Sequence, residues 1–114
     1  MSFVEVEYAD EPSFNLFWTE EGQGPPLLLV RGLGRSHRYF SPIVPYLAKH
    51  FRVLMFDNRG SGQSEHPKGP YSTERMAQDC IKVLDAAGVD QAWLLGMSLG
   101  GMISMDAAYQ FPDR

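Results

Sequence analysis

The chain has 114 residues, and 14 Asp and Glu against 10 Lys and Arg give it a formal net charge of −4. This acidic balance argues against nucleic-acid binding, which needs basic residues to neutralise phosphates. No apolar run, Leu27–Val30 included, approaches the roughly 18 residues of a membrane span, and the first residues do not resemble a signal peptide. We therefore expect a soluble, cytoplasmic protein that binds neither nucleic acid nor membrane.

The first half of the chain predicts a hairpin followed by a buried strand. Strand-like runs at 3–7 and 15–19 flank a turn-forming segment, which indicates an antiparallel hairpin. Leu27–Val30 is apolar on both faces, as is typical of a parallel strand covered by helices on both sides. Ser41-Pro42, a cap residue before a proline, predicts the start of a helix.

The second half alternates strand and helix. Residues 52–57 and 92–95 read as buried strands, and the apolar residues of 73–87 step by three and four along one helix face. A further helix is predicted over 99–110. The fold class is therefore α/β, an antiparallel hairpin followed by parallel strands with crossover helices. Right-handed crossovers bring the loops after the parallel strands to one sheet edge, where open α/β sheets keep their chemistry.

A G-x-S-x-G motif, Gly96-Met97-Ser98-Leu99-Gly100, lies between the last strand and the last helix. In this context a sharp strand-to-helix turn presents the serine hydroxyl, and the helix N-terminus faces developing negative charge. We interpret Ser98 as a nucleophile rather than as part of a chance match to the motif.

A second glycine-containing loop, Arg31-Gly32-Leu33-Gly34, follows the first buried strand. An acyl-transfer serine needs two amides directed at the oxyanion of its tetrahedral intermediate. The Leu99 amide would be one, and this loop would supply the other from Leu33, with Gly34 as the alternative donor. The alternative interpretation of the loop is a plain turn at a strand end.

Two further features are interpreted as structural. The segment from Asp57 to Ser64 has the glycines and short polar side chains of a tight loop, and we expect Asp57 to support that loop. His37 lies in the oxyanion loop near the edge of the site, from which it could approach Ser98, but we favour a solvated loop histidine. His50 and His66 are predicted to be surface residues. The single cysteine, Cys80, excludes an internal disulfide, and no residues have the spacing of metal ligands, so no metal or cofactor is expected.

The loops at residues 31–34, 57–64 and 96–101, in this order and spacing, resemble those of the α/β-hydrolase fold family. From Asp57 through Ser98 the chain is most similar to its small esterases, enol-lactonases and cofactor-free haloperoxidases, and the resemblance runs from about Phe14 to the C-terminus. It implies that Ser98 is the nucleophile and that Leu33 and Leu99 form the oxyanion hole. Family members often carry His-Gly before the oxyanion residue; here the pair is Arg31-Gly32.

A complete catalytic triad is not present in these residues. The family order is serine, acid, histidine, but after Ser98 the chain contains only Asp106 and Asp113 and no histidine. The resemblance also implies an eight-stranded sheet in which the strand before Ser98 is central. We therefore expect residues 1–114 to be the N-terminal portion of one hydrolase domain, and to be inactive alone. A second chain carrying the C-terminal half, or self-association, would cover the exposed strand.

Other functions are weaker interpretations. Gly32-Leu33-Gly34 followed later by Asp57 suggests a dinucleotide fold, but His37 occupies the position of the third glycine. A non-catalytic binder that keeps the hydrolase pocket, a protein-interaction module and an inactive truncated fragment also stay open. The favoured function is a serine hydrolase acting on a small-molecule carboxylic ester or lactone through an acyl-enzyme at Ser98.

Overall fold

The computed structural model describes residues 2–32 and 36–114. Its strands are β1 Ser2–Tyr8, β2 Glu11–Glu21, β3 Pro26–Val30, β4 Arg52–Phe56 and β5 Trp93–Gly96. Its α-helices are α1 Val44–Leu47, α2 Thr73–Ala86 and α3 Leu99–Gln110, and a short 3-10 helix spans His37–Phe40. The elements therefore follow the predicted order, with strands and helices alternating after the hairpin.

The strands form one mixed sheet in the order β1-β2-β4-β3-β5. The hairpin β1–β2 is antiparallel, as predicted, and β2 continues it by pairing antiparallel with β4. Strands β4, β3 and β5 run parallel to one another, so their carboxyl ends lie at one edge of the sheet. The α/β fold class is confirmed, and the loops after β3, β4 and β5 meet as the crossover argument requires.

Helices pack on both faces of the parallel strands because those strands are apolar on both faces. One face packs against α2 and α3, which contribute Met76, Cys80, Val83, Leu84 and Ile103. The opposite face is smaller and is covered by Phe40 and Val44. The helical pattern of 73–87 thus predicted the buried side of α2 correctly.

The helix predicted to open at Ser41-Pro42 begins at Val44 instead, and Ser41 is not its cap. Ser36, not Ser41, caps the 3-10 helix by accepting a hydrogen bond from the Arg38 amide at 3.3 Å. Regular α-helix covers only Val44–Leu47, with a proline in its first turn. A helix capped by Ser41 would need an N–H at position 45, which proline lacks, so the regular helix begins at Val44, where Pro45 falls in the first turn.

A buried ion network attaches the hairpin to α2. The Arg59 guanidinium donates to both carboxylate oxygens of Asp79, at 2.6 and 2.9 Å, and to Glu11 on β2. Tyr8 donates its hydroxyl to Asp79 at 2.8 Å. Burial alone would lower the pKa of Arg59, but its hydrogen bonds to Asp79 and Glu11 outweigh burial and raise that pKa. Burial also raises the pKa of the Asp79 carboxyl, although its hydrogen bond and ion pair with Arg59 oppose that rise. The network ties the start of the chain to the crossover helix.

Strand β5 forms one edge of the sheet, as predicted, and its surroundings are apolar and exposed. Trp93 and Leu95 pair in register with Leu27 and Leu29, so all four side chains lie on one face. Trp93 is nevertheless 69% exposed and Leu95 is 41% exposed. On the other side of β5, helix α3 exposes Met102, Met105 and Tyr109. Within the described residues, the outer edge of β5 has no partner strand.

None of the helices in the described part of the chain combines the length and apolar character that crossing a membrane requires.

Candidate active site

Ser98 sits in a strained turn between β5 and α3. Its backbone has φ 58° and ψ −125°, and it is the one non-glycine residue of 2–32 and 36–114 with positive φ. Such a conformation costs about 1–3 kcal/mol and persists only where the surroundings impose it. The Ser98 side chain is exposed at the carboxyl end of the sheet. The G-x-S-x-G motif therefore adopts the sharp strand-to-helix turn that its spacing predicts.

Two glycines of the motif allow helix α3 to approach the sheet closely. A Cβ on Gly100 would overlap the backbone carbonyl of Val30, and a Cβ on Gly96 would overlap the carbonyl of Gly100. Any side chain at either position would push α3 away from β3 and β5. The glycines are thus needed for packing, and this packing fixes where Ser98 lies.

The predicted oxyanion residue Leu99 is the first residue of α3, so its amide has no acceptor within the helix. The loop after β3 lies against it, because a Cβ built on Gly32 would be 3.4 Å from the Leu99 nitrogen. The Met97 amide also donates to the Val30 carbonyl at 3.1 Å. The other predicted donors, Leu33 and Gly34, lie outside the described residues.

The Asp57 carboxylate, wholly buried at the end of β4, organises two loops. One oxygen accepts from the Gln63 amide at 2.8 Å, which supports the loop that follows β4. The other oxygen lies 2.6 Å from the His37 amide nitrogen and 2.7 Å from His37 Nδ1. The expectation that Asp57 supports its own loop is correct, but the carboxylate also holds the segment after β3.

The prediction that His37 is a solvated loop histidine is wrong. Its side chain is only 13% exposed, and its ring packs on Phe17 with centroids 5.2 Å apart. Sequence reasoning missed this because the partner, Asp57, lies 20 residues away in the chain. The other two histidines, His50 and His66, are exposed, as expected.

Neither acid that follows Ser98 is placed as a triad acid would be. Asp106 lies within α3, where it accepts from Thr73 at 3.1 Å, and Asp113 is exposed beyond the helix end. The dinucleotide interpretation also loses support, because residues 36–43 form a 3-10 helix and turns in place of a long helix that could cradle a pyrophosphate. Among the described residues, no group of three His, Cys, Asp or Glu could hold a metal ion.

Comparison with known proteins fits this geometry. The model of the alpha/beta hydrolase fold family matches residues 25–114. The chain belongs to that family. Its sequence is 37% identical over 109 residues to the "Putative carbamate hydrolase RutD" of Azorhizobium caulinodans, covering 96% of this chain and 41% of that protein. It is also 29% identical over 112 residues to 3-oxoadipate enol-lactonase 2 of Acinetobacter baylyi, covering 98% and 42%.

Solved structures of this alpha/beta hydrolase family superpose closely on the chain. A hydrolase from Pseudomonas aeruginosa matches with a TM-score of 0.92 and 36% identity, covering 99% of this chain and 42% of its own. The enol-lactonase of Burkholderia xenovorans matches with a TM-score of 0.86 and 35% identity, covering 95% and 43%. The chain thus spans about two fifths of the length of the relatives it matches.

Proposed function

We propose that this chain provides the nucleophile and part of the oxyanion hole of a serine hydrolase that acts on carboxylic esters or lactones. The observation that carries the proposal is the positive-φ turn at Ser98, exposed at the N-terminus of α3 and adjacent to the loop after β3. A strained serine is retained where its geometry serves a reaction, and an exposed hydroxyl beside a helix N-terminus suits acyl transfer.

The reaction follows from this geometry. The Ser98 oxygen bonds to the substrate carbonyl carbon while a base takes the hydroxyl proton. The Leu99 amide, and a second amide that we assign to Leu33, donate to the oxyanion. Collapse of the intermediate breaks the bond to the leaving alcohol, which takes the proton from the base. Water then attacks the acyl-enzyme in the same way, releasing the carboxylic acid and restoring the serine.

We assign the base and its orienting acid to chain beyond these residues. We do not assign the base to His37, since its Nδ1 is bonded to Asp57 and its ring packs on Phe17 of β2, which is three strand spacings from β5. At about 4.8 Å for each spacing, this separation is roughly 14 Å. This chain spans about two fifths of the length of its relatives, which agrees with a base and an acid that lie outside these residues.

The uncovered edge of β5 is consistent with that assignment. Trp93 and Leu95 on one face and Met105 and Tyr109 on the other form a continuous apolar border. We infer that the remainder of the domain, on the same or a second chain, covers this border in the active enzyme. Intact and native mass, with gel filtration, would show whether a polypeptide of comparable size accompanies these residues.

The substrate class rests on the named relatives. Their names describe a "Putative carbamate hydrolase" and enol-lactonases, and carbamates and enol-lactones share a carbonyl carbon that is bonded to oxygen and open to attack by a serine hydroxyl. The chain's own residues supply the attacking oxygen and an anion-stabilising amide, which fit any member of that class.

A test needs the whole protein that contains this chain. We expect a fluorophosphonate probe to label Ser98 covalently and the protein to hydrolyse a p-nitrophenyl ester. Ser98→Ala should abolish labelling and lower kcat by several orders of magnitude, while Ser13→Ala, at an exposed hairpin position, should change neither. Full activity in Ser98→Ala would disprove the nucleophile assignment. Ester binding without labelling or turnover would favour a non-catalytic binder.

A further inference from the structure

Both ends of the segment 31–37 are bonded to two consecutive residues that follow β4. At its beginning, the Asn58 side-chain amide donates to the Arg31 carbonyl. At its end, His37 makes two hydrogen bonds to one Asp57 oxygen, from its backbone amide at 2.6 Å and from Nδ1 at 2.7 Å. His37 and Asp57 are 20 positions apart in the chain, and Arg31 and Asn58 are 27 positions apart.

The residues that hold this segment are themselves rigidly placed. Asp57 is 0% exposed and Asn58 is 2% exposed. The Asp57 amide donates to the Phe17 carbonyl at 3.0 Å, which extends the pairing of β2 with β4. The second Asp57 oxygen is occupied by the Gln63 amide at 2.8 Å. Asp57 and Asn58 are therefore part of the sheet's frame, and the residues bonded to them, Arg31 and His37, are fixed relative to it.

The chemistry of the His37–Asp57 contact fixes which atom donates. An ionised carboxylate only accepts hydrogen bonds, so His37 must carry its proton on Nδ1. The ring also packs on Phe17, which restricts its rotation. A neutral side chain with a donor two bonds from Cβ, such as asparagine, could make the same hydrogen bond.

We propose that His37, Asp57 and Asn58 are positioning residues that hold the two described ends of the loop after β3, at Arg31 and His37, and so keep Gly32 beside the Ser98 turn. The loop's contact with that turn is direct at Gly32, beside the Leu99 amide, and it is the loop from which the second oxyanion donor is predicted. This inference rests on the proposed function for its effect on rate. The anchoring itself stands on the hydrogen bonds alone.

We expect the loss of these hydrogen bonds to lower kcat and to leave KM almost unchanged. Oxyanion donors act on charge that develops in the transition state, so a displaced loop weakens transition-state binding more than ground-state binding. Small displacements of catalytic groups cost up to about 100-fold in rate. None of the three residues needs to touch the substrate for this effect.

The test compares His37→Leu with His37→Asn in the whole protein, since the two side chains have the same shape and only asparagine keeps a donor. We expect His37→Leu to lower kcat about 10- to 100-fold, with KM within about twofold, and His37→Asn to recover most of that loss. His50→Leu, at an exposed histidine, serves as the matched control and should leave both constants unchanged.

A second measurement separates failure of this inference from failure of the proposed function. Amide hydrogen exchange at position 37 should be faster in His37→Leu than in the wild type or His37→Asn, whether or not the protein is a hydrolase. Equal exchange in the two variants would overturn the contribution of the His37 side chain to this anchor. Equal kcat values for His37→Leu and His37→Asn, in a protein whose wild type the fluorophosphonate labels, would overturn it as well. If the fluorophosphonate does not label the wild type but exchange follows the expected pattern, the proposed hydrolase function would be refuted. The role of the His37 side chain in holding the loop would still be supported.

Discussion

Gly100 lies so close to Val30 that a Cβ on the glycine would overlap the backbone carbonyl of Val30. The next residue, Gly101, is in the same helix, but the nearest atom to a Cβ there would be 3.8 Å away. The two neighbouring glycines therefore have different reasons to be present: one is required by packing, and the other is not.

We expect Gly100→Ala to destabilise the protein by about 1–3 kcal/mol or to prevent folding, because backbone atoms of β3 cannot move aside. Gly101→Ala should be neutral or stabilising by about 0.5–1 kcal/mol, since alanine is the better helix former. Urea unfolding of both variants beside the wild type measures the difference. Equal stabilities for the two alanine variants would show that α3 does not pack on β3 this closely.

Arg59 is the centre of the buried network that holds the hairpin to α2. Arg59→Met leaves the buried Asp79 carboxylate without its cation, so we expect a loss of about 3–5 kcal/mol in the free energy of unfolding. Arg52→Met removes a more exposed ion pair with Glu20 and should cost about 1 kcal/mol or less from that pair. Chemical denaturation of the two variants would distinguish them, and a similar small loss in both would contradict a buried network.

Alkaline pH should destabilise the fold through two buried groups. Burial, then the charge and hydrogen bond of Asp79, raises the pKa of Tyr8 well above its ordinary value of 10.0. Burial raises the pKa of the Cys80 thiol well above its ordinary value of 9.0. Both groups ionise in the unfolded chain before they ionise in the folded one. Their stabilising effect is therefore complete below about pH 8.5 and is lost as pH rises above that range.

Denaturation midpoints measured between about pH 8 and pH 11 would test this prediction. Tyr8→Phe should flatten the decline near pH 10, whereas Tyr109→Phe, at a residue that is 85% exposed, should leave its slope unchanged. A thiol reagent should also react with Cys80 only on unfolding, because the thiol is fully buried. Rapid reaction with the native chain would mean that the packing between α2 and the sheet opens readily.

The exposed border of β5 should cause the 114-residue chain to self-associate when it is studied alone. An unpaired edge strand flanked by exposed apolar side chains is a site of aggregation. We expect Trp93→Lys combined with Tyr109→Lys to shift the chain towards monomer in sedimentation velocity experiments. Tyr46→Lys alters a residue that is 70% exposed on α1 and should leave the association unchanged. A monomeric wild-type chain would contradict this prediction.

Most of the fold could be predicted from the sequence because its signals are local. The apolar run at 27–30, the three-and-four spacing in α2 and the glycines around Ser98 each predict a structure within a few residues. The start of the helix near Ser41 was predicted less well, since Pro42 and Pro45 both suit a first helical turn and only Pro45 lies in that of α1. Local patterns could not show which proline the helix would use.

The site was predictable at Ser98 and not at His37. The Ser98 turn depends on neighbouring glycines, which are visible in the motif. The environment of His37 depends on Asp57 and Phe17, which reach it only when β2, β4 and the loop after β3 assemble. Pairing between side chains so far apart in the chain leaves no periodic signal, so a histidine in a polar loop appears solvated.

The anchor at Asp57 depends largely on backbone groups. Of the three hydrogen bonds that its carboxylate makes with side chains and amides of the described residues His37 and Gln63, two come from main-chain amides, which every residue except proline can supply. The carboxylate therefore dictates the path of both loops while leaving most of their side chains free to differ. Such an arrangement lets the rim around Ser98 diversify through evolution, and adapt to substrates of new shape, without disturbing the frame beneath it.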